Sequence, residues 1–374
     1  MSARRVSTTH RKKSVRREPP QPKQTQQPEL FELEVLDGLV PTCKLELAHV
    51  LRSDGAIYDE GASDRIAFEF SGRPSRLLRL RTAVAVFKLL YFKVPHPLNV
   101  IQGPNLNRLI GAIQAIREGA RRDDLRFESF RVSAAGSRSS AFREIKGVIS
   151  SRTGLVNDED TGEMSIRFRR SRLAGFGWDV LIRLTPRPLS ARAWRIENMP
   201  GALNATIAAA MVLSTAPKPK DTFLNLMCGS GTILAERATM CGAQRLIGVD
   251  NSSKAIEKAR KNLEHLATPP KILHEGIDEL SLPDQSVDVI CADLPWGRLI
   301  GKRDELHEVY RAALQQASRV CVTGGRYAVL TQEIQLFEDL LKTFAKDWRI
   351  EASFRVKQSD YKPKLYLLKR ERGS

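Results

Sequence analysis

The 374-residue chain is long enough for two or three domains, and its 60 Lys and Arg against 43 Asp and Glu give a net charge of +17, which indicates a polyanionic partner. Its apolar runs stay below the roughly eighteen residues of a membrane-spanning helix, so we expect no membrane association. Its five cysteines lack C-x-x-C or Cys/His ligand spacing, which argues against a metal site and favours a reducing, cytoplasmic compartment.

Residues 1–29 form a basic segment that ends in a Pro/Gln-rich stretch. The segment offers few apolar side chains to bury, so we expect a disordered basic tail. Such a tail either adds phosphate contacts to a bound polyanion or is merely solvated. A mitochondrial transit peptide is also rich in Arg and Ser, but the amphipathic face that it requires is missing here, which disfavours organelle targeting.

Residues 30–190 mix strand-like and helix-like patterns, which predicts an α+β region. Strands are expected at 31–35, 66–72, 127–132, 164–170 and 178–184, and helices at 44–51, 74–91, 105–119 and around 146–149. The long helix at 74–91 is predicted from five apolar residues: Leu77, Leu78, Val84, Phe87 and Leu90.

Arginine outnumbers lysine between residues 131 and 195. The planar guanidinium fork suits bidentate phosphate contact, although a charged helix face is often only solvated, and both interpretations stay open for each residue. The candidate phosphate-contacting residues of this region are Arg131, Arg138, Arg143, Lys146, Arg169 and Arg195.

Prolines punctuate residues 191–220, which we interpret as a linker with one packing helix at 202–212. Residues 221–374 then alternate regularly between strand and helix and end in two strands, at 350–356 and 365–369. This order predicts an α/β fold with a doubly wound, seven-stranded Rossmann-like sheet.

A glycine turn follows the apolar run at 222–224. Gly229 and Gly231 lack a Cβ, so the backbone can approach a ligand where a helix begins. Asp250 ends the next strand about twenty residues later, where a carboxylate can bind both ribose hydroxyls. Leu234 replaces the third glycine of G-x-G-x-x-G, which favours a cofactor with ribose but no phosphates, such as S-adenosylmethionine. A lone Gly-x-Gly is also found in ordinary turns.

A second motif, Asp293-Leu294-Pro295-Trp296, closes the apolar strand at 287–292. Asp293 and the Leu294 carbonyl are able to accept the two hydrogens of a nucleobase amine. Trp296 is able to stack on the base, which is worth roughly 1–3 kcal/mol, and Pro295 stiffens the loop. This arrangement predicts in-line methyl transfer. The alternative is a plain strand-to-helix connection in which Trp296 covers the core.

Residues 221–331 resemble the catalytic domain of the THUMP-domain tRNA guanine-N2 methyltransferases, through 228–232, 293–297 and 330–331. Residues 130–184 resemble a THUMP domain, and residues 30–100 are similar to the ferredoxin-like domain that precedes it. The resemblance implies that S-adenosylmethionine donates a methyl group to guanosine N2 in tRNA. Ribosomal RNA, an adenine amine, or a catalytically silent RNA-binding protein are the alternatives.

The chain departs from the family motifs in two places, since Asn225 replaces the usual acid and Gly276 stands where the adenine-binding acid is expected, two residues before Asp278. Domains are expected at 30–100, 101–190 and 221–374, in a monomer. The candidate reaction residues are Asp293, Leu294, Pro295 and Trp296. The candidate cofactor-binding residues are Asn225, Cys228, Gly229, Gly231, Thr232, Asp250, Asn251 and Asp278. Arg298 and Lys302, after the second motif, join the RNA-binding candidates.

Overall fold

The computed structural model describes residues 28–52, 55–58, 61–172, 174–297 and 303–371. Nearly all of the expected tail at 1–29, together with Arg298 and Lys302, therefore lies outside the described residues. Among the described residues, no helix combines the length and the apolar composition that a membrane span requires.

An eight-stranded sheet organises the N-terminal half, with the strand order β2-β3-β1-β4-β8-β7-β5-β6. In chain order the elements are β1 (Glu29–Val35), α1 (Val40–Leu51), β2 (Ile57–Tyr58), β3 (Arg65–Phe70), β4 (Ala83–Phe92), α2 (Gly103–Arg122), β5 (Ser129–Ser133), α3 (Ser140–Thr153), β6 (Val156–Asn157), β7 (Met164–Arg170) and β8 (Trp178–Arg183). Local signals define helix ends: the Ser139 hydroxyl accepts the N–H of Phe142 at the start of α3, and Gly154 ends it at φ +72°.

The prediction of a long helix at 74–91 is wrong. The segment forms a short 3-10 helix, Pro74–Arg79, and then the long strand β4. β4 pairs with β1 on one side and β8 on the other, and its alternating residues are buried on both faces, with Phe87 and Leu89 on one face and Val86 and Leu90 on the other. A strand that is buried on both faces reads as a continuous apolar run, which resembles a buried helix in sequence.

β4 also joins the two segments that we expected to form separate ferredoxin-like and THUMP-like domains, because its residues 87–92 pair with β8. The sheet is continuous across the expected boundary near residue 100. That boundary stays a prediction.

A seven-stranded sheet organises the C-terminal half, with the order β11-β10-β9-β12-β13-β15-β14. The elements are α4 (Ala205–Ser214), β9 (Thr222–Leu226), α5 (Thr232–Met240), β10 (Arg245–Asp250), α6 (Ser253–Leu263), β11 (Lys271–His274), β12 (Val287–Asp293), α7 (Arg303–Val320), β13 (Cys321–Thr331), α8 (Ile334–Thr343), β14 (Trp348–Arg355) and β15 (Lys364–Arg370). The first five strands in the sheet order are parallel, and β15 is antiparallel to both of its neighbours. The Rossmann-like domain and the preceding α+β region are thus confirmed.

A buried carboxylate connects the two halves. Glu236 on α5 is fully buried and accepts hydrogen bonds from Arg81 at 2.7 and 3.1 Å, from Arg192 at 2.9 Å and from the Trp194 indole at 3.3 Å. Arg81 belongs to the N-terminal half, and Arg192 and Trp194 to the linker. Because a buried charge requires paired partners, this cluster fixes the N-terminal half against the C-terminal half.

Candidate functional site

A cleft of about 800 Å³ opens at the carboxyl ends of the parallel strands. It lies where β9 and β12 are neighbours in the sheet although they are distant in sequence, which is the switch point at which open α/β sheets bind ligands. The turns after β9, β10 and β12 line it, and residues 199–203 of the linker form a further wall.

The glycine turn after β9 is built as the sequence predicts. Gly229 and Gly231 have φ of +53° and +82°, in the left-handed region that favours glycine. A Cβ on Gly231 would lie 2.8 Å from Leu263 of α6, so this glycine is required for helix packing. A Cβ on Gly229 would meet no described atom within 4 Å, because the turn faces the open cleft there.

Asp250 fixes this turn against the end of β10. Its Oδ2 accepts the N–H of Gly229 at 2.8 Å, and its Oδ1 accepts the N–H of Ser252 at 2.9 Å. A carboxylate has about four acceptor sites, so lone pairs stay available for ligand hydroxyls. Asp250 and Asn251 both line the cleft.

Cys228 and Thr232 also line the cleft, in agreement with the cofactor prediction. Burial raises the pKa of the Cys228 thiol to about 12. The thiol is therefore neutral at physiological pH and is suited to contact a ligand rather than to act as a nucleophile.

Three of the predicted cofactor-binding residues are not among the described residues that line the cleft: Asn225, Gly231 and Asp278. Asn225 is 1% exposed, and its side-chain amide donates to the carbonyls of Leu226 and Cys291 at 3.2 and 3.0 Å, so it lies within the sheet below the cleft. Asp278 is exposed, and the wall after β11 is formed instead by Glu275 and Ile277.

Asp293 lies at the end of β12 with its Oδ1 buried and without a hydrogen-bond partner among the described residues. Burial raises the pKa of the Asp293 carboxyl to about 7, and a hydrogen bond with the Trp296 side chain opposes this increase. Leu294 follows with its N–H bound to the Leu330 carbonyl at 3.0 Å. Asp293, Leu294, Pro295 and Trp296 all line the cleft, so the structure brings the two predicted motifs together.

The loop after Asp293 is held by buried polar contacts. The Tyr310 hydroxyl lies 2.9 Å from the Pro295 carbonyl, to which it donates, and 2.6 Å from the Thr331 hydroxyl. The N–H of Gly297 donates to Glu333 Oε1 at 3.0 Å. The loop is therefore anchored to α7 and to the segment after β13.

A second aromatic residue stands beside Trp296. Tyr361 makes an edge contact with it, with ring centroids 5.2 Å apart and an interplanar angle of 62°. Tyr361 ends a tight turn between β14 and β15, in which it exchanges two backbone hydrogen bonds of 3.0 Å with Gln358. The sequence patterns did not predict a role for this turn, because it lies about sixty residues from the second motif and has no motif of its own.

Two residues, Asn262 and Arg195, connect the linker that forms one wall of the cleft to the rest of the C-terminal half. Asn262 is 1% exposed; its Oδ1 accepts the N–H groups of Ile196 and Glu197 at 2.9 and 2.8 Å, and its amide donates to the Ser230 carbonyl at 3.0 Å. Arg195 donates to the Leu203 carbonyl at 2.8 Å and to the Thr232 hydroxyl at 3.0 Å. Arg195 therefore holds the linker against the start of α5. Its guanidinium thus has a structural function besides the phosphate contact that we expected from the sequence.

Two further RNA-binding candidates are engaged within the protein. Lys146 is buried and pairs with Glu159 at 2.5 Å, and Arg169 pairs with Glu32 at 2.5 and 2.9 Å. Each pair partly satisfies the cation internally, which makes these residues weaker candidates for phosphate binding.

Of the remaining described candidates, Arg131 lies on β5, Arg138 precedes α3 and Arg143 lies on α3. Arg138 and Arg143 are exposed, whereas Arg131 is half-buried and donates to the Asp160 carbonyl at 3.2 Å. Among the RNA-binding candidates within the described residues, Arg138 and Arg143 are thus the most accessible. Across the described ranges, no cluster of three or more His, Cys, Asp and Glu is arranged to hold a metal ion.

Comparisons with known proteins agree with this geometry. Residues 192–364 match the family described as RMKL-like, methyltransferase domain. Over 206 residues the chain is 32% identical to the mouse tRNA (guanine(6)-N(2))-methyltransferase THUMP3, covering 51% of this chain and 40% of the relative. Over 148 residues it is 35% identical to the bovine U6 snRNA (guanine-N(2))-methyltransferase THUMPD2, covering 39% and 28%. A tRNA (guanine(6)-N2)-methyltransferase of Methanocaldococcus jannaschii is 28% identical over 199 residues, covering 41% and 50%.

The fold is similar to solved structures over nearly the whole chain. TrmN from Thermus thermophilus superimposes with a TM-score of 0.71 at 22% identity, covering 91% of this chain and 99% of that one. SMU.472 complexed with SAH superimposes with a TM-score of 0.62 at 15% identity, covering 93% and 99%. The matches to the three relatives above span half of their length or less. Residues 192–364 therefore match the RMKL-like methyltransferase domain, and the sequence is similar to tRNA and U6 snRNA guanine-N2 methyltransferases over part of their length.

Proposed function

We propose that this protein transfers a methyl group from S-adenosylmethionine to the exocyclic N2 amine of a guanosine in tRNA. The observation that carries the proposal is the buried, unpartnered oxygen of Asp293 within the described cleft, which also contains the Gly229 turn and Asp250. One cleft thus combines hydrogen-bond acceptors for an amine with a turn and a carboxylate that are suited to bind a ribose.

The residues of the cleft fit the proposed cofactor. S-adenosylmethionine, when bound, supplies an electrophilic methyl group on a sulfonium. Asp250 retains acceptor sites for ribose hydroxyls, and the open side of Gly229 leaves room that a side chain would fill. Val249 and Ile277 offer apolar contacts for an adenine ring. The chain thus holds such a cofactor through the turns after β9, β10 and β11.

The second motif prepares the amine. A nucleobase amine is a poor nucleophile because its lone pair is delocalised into the ring. Asp293, when ionised, and the Leu294 carbonyl accept its two hydrogens and so favour a pyramidal nitrogen whose lone pair is directed at the methyl group. The methylated ammonium is acidic and loses its proton late, and a carboxylate with a pKa of about 7 is suited to receive it.

The base must leave the RNA stack to enter the cleft, because a duplex buries the guanine amine. Trp296 and Tyr361 form an aromatic pair beside which an extruded base can stack. The net charge of +17 and the exposed Arg138 and Arg143 supply contacts to phosphates. A tRNA substrate is favoured because two of the relatives described above are named for it. A monomeric, cytoplasmic enzyme without a metal ion completes the proposal.

The test is incubation of the purified protein with labelled S-adenosylmethionine and unmodified tRNA, rRNA and U6 snRNA, followed by nucleoside mass analysis. We expect N2-methylguanosine in the tRNA and its loss in Asp293→Ala. The matched control is Asp339→Ala, which removes an exposed carboxylate of α8. Label in another RNA overturns the tRNA assignment, and N6-methyladenosine overturns the base. Absence of both label and cofactor binding would leave a catalytically silent RNA-binding protein.

A further inference from the structure

Three buried side-chain oxygens line the cleft without a hydrogen-bond partner in the described part of the chain: Asp293 Oδ1, Gln332 Oε1 and Gln358 Oε1. Buried polar atoms are nearly always paired in folded proteins, and an unpaired one destabilises the fold. Such a cluster in one cleft indicates a ligand that offers several hydrogen-bond donors.

Gln332 stands close to Asp293 in the sheet. Asp293 on β12 pairs in register with Leu330 on β13, and Gln332 follows two residues later. The next residue, Glu333, donates its N–H to the Thr331 hydroxyl at 2.9 Å and accepts the N–H of Gly297. The segment that carries Gln332 is therefore fixed to the reactive loop.

Gln358 approaches the cleft from the neighbouring strand pair, since β15 pairs with β13 next to the segment that carries Gln332. It begins the tight turn between β14 and β15, and the turn closes through its two backbone hydrogen bonds with Tyr361. Tyr361 contacts Trp296, so the turn is positioned against the aromatic residue of the second motif. The loops that carry the two glutamines thus both contact the loop that begins at Asp293.

Acceptor oxygens distinguish the two purines. The Watson–Crick edge of guanine presents three N–H hydrogens, one on N1 and two on N2. Adenine presents two hydrogens on N6, and its N1 is itself an acceptor, which an acceptor-lined cleft repels. A site built to bind an N–H strongly rejects an analogue that lacks it, because its own buried groups are then left unpaired.

We propose that Gln332 and Gln358 are specificity-determining residues that select guanine. Gln332, beside Asp293, and Gln358, on the side of Trp296, share the N1–H in a three-centre hydrogen bond. This inference rests on the proposed function and extends it, because Asp293 and the Leu294 carbonyl bind any purine amine, whereas the glutamine oxygens require the N1–H.

The test uses a tRNA in which the methylated guanosine has been located and then replaced by 2-aminopurine, which keeps the N2 amine but lacks the N1–H. The variants are Gln332→Met and Gln358→Met, which keep side-chain length and remove the acceptor. Gln335→Met, at an exposed position of α8, is the matched control. Thermal melts verify that each variant is folded.

The wild type should prefer guanosine over 2-aminopurine by roughly tenfold or more in kcat/KM. Each glutamine variant should lose most of this preference by reacting more slowly with guanosine and at an unchanged rate with 2-aminopurine, whereas Gln335→Met should keep it. An equal loss on both substrates indicates a structural role and overturns the proposal, and so does an unchanged preference in either variant. If the wild type methylates no guanosine at all, the proposed function itself has failed, which the first incubation reveals separately.

Discussion

Replacing Asp293 by asparagine removes a carboxyl whose pKa burial has raised, and the effect on stability must depend on pH. In the unfolded chain this carboxyl ionises near its ordinary pKa of 3.8, but in the folded protein it ionises near 7. Between these values the folded state keeps a proton that the unfolded state has released. Wild-type stability therefore falls relative to the variant as the pH rises from about 4 to 7.

The magnitude follows from the same numbers. Each pKa unit corresponds to about 1.4 kcal/mol, so raising the pKa from 3.8 to about 7 costs the folded state about 4 kcal/mol above pH 7. Asp293 is partly accessible at the cleft, and water there screens part of the charge. We therefore expect Asp293→Asn to stabilise the protein by about 2–4 kcal/mol at pH 8 and to be close to neutral at pH 4.

The assay is urea unfolding of both proteins at several pH values from 4 to 8. Asp339→Asn is the control, because a hydrogen bond from Lys342 lowers the pKa of exposed Asp339, so that its loss should have a small effect of the opposite sign. In parallel, wild-type kcat/KM should rise with pH through about 7 as Asp293 ionises. A stability difference that stays constant from pH 4 to 8 would refute the assignment of a perturbed carboxyl at this position.

Two other substitutions test how the site is supported. Tyr310→Phe should cost about 1–2 kcal/mol in urea unfolding and lower kcat by roughly tenfold, because the Pro295 carbonyl loses its donor and the reactive loop loosens. The control Tyr327→Phe removes a buried hydroxyl that has no partner in the described ranges, so it should not destabilise the protein and should leave kcat unchanged. Arg81→Ala should destabilise the protein by about 2–4 kcal/mol in the same unfolding assay, because it removes a partner of the buried Glu236. The exposed Arg79 is its control, and equal effects of Arg79→Ala and Arg81→Ala would contradict this account.

Within the catalytic half, short-range patterns were sufficient to predict most of the architecture. Parallel strands place their carboxyl ends at one edge of a sheet, so the order of strand, glycine turn, acidic residue and second motif already implied that Gly229, Asp250 and Asp293 converge. The structure confirms that they line one cleft. The motif positions predicted less at Asn225, which is buried in the sheet, and at Asp278, which is exposed, because a motif does not show which side chains the fold directs into the cleft.

The N-terminal half shows where periodicity fails. β4 is covered on both faces, so its sequence lacks the alternation that identifies a half-buried strand, and it was predicted to be a helix. The side chains of Lys146, Arg169 and Arg195 could not be assigned either, because their partners lie elsewhere in the chain and only the fold determines which cations are paired.

By itself, the sequence determined the fold class of the catalytic half, the positive charge and the two motifs, because each is encoded by neighbouring residues through strand alternation, turn chemistry and composition. Only the tertiary structure decided that the linker forms a wall of the cleft, that burial raises the pKa of Asp293, and that Gln332, Gln358 and Tyr361 meet the second motif. The physical reason is that burial, pairing and convergence depend on residues brought together from distant parts of the chain, and no local pattern encodes them.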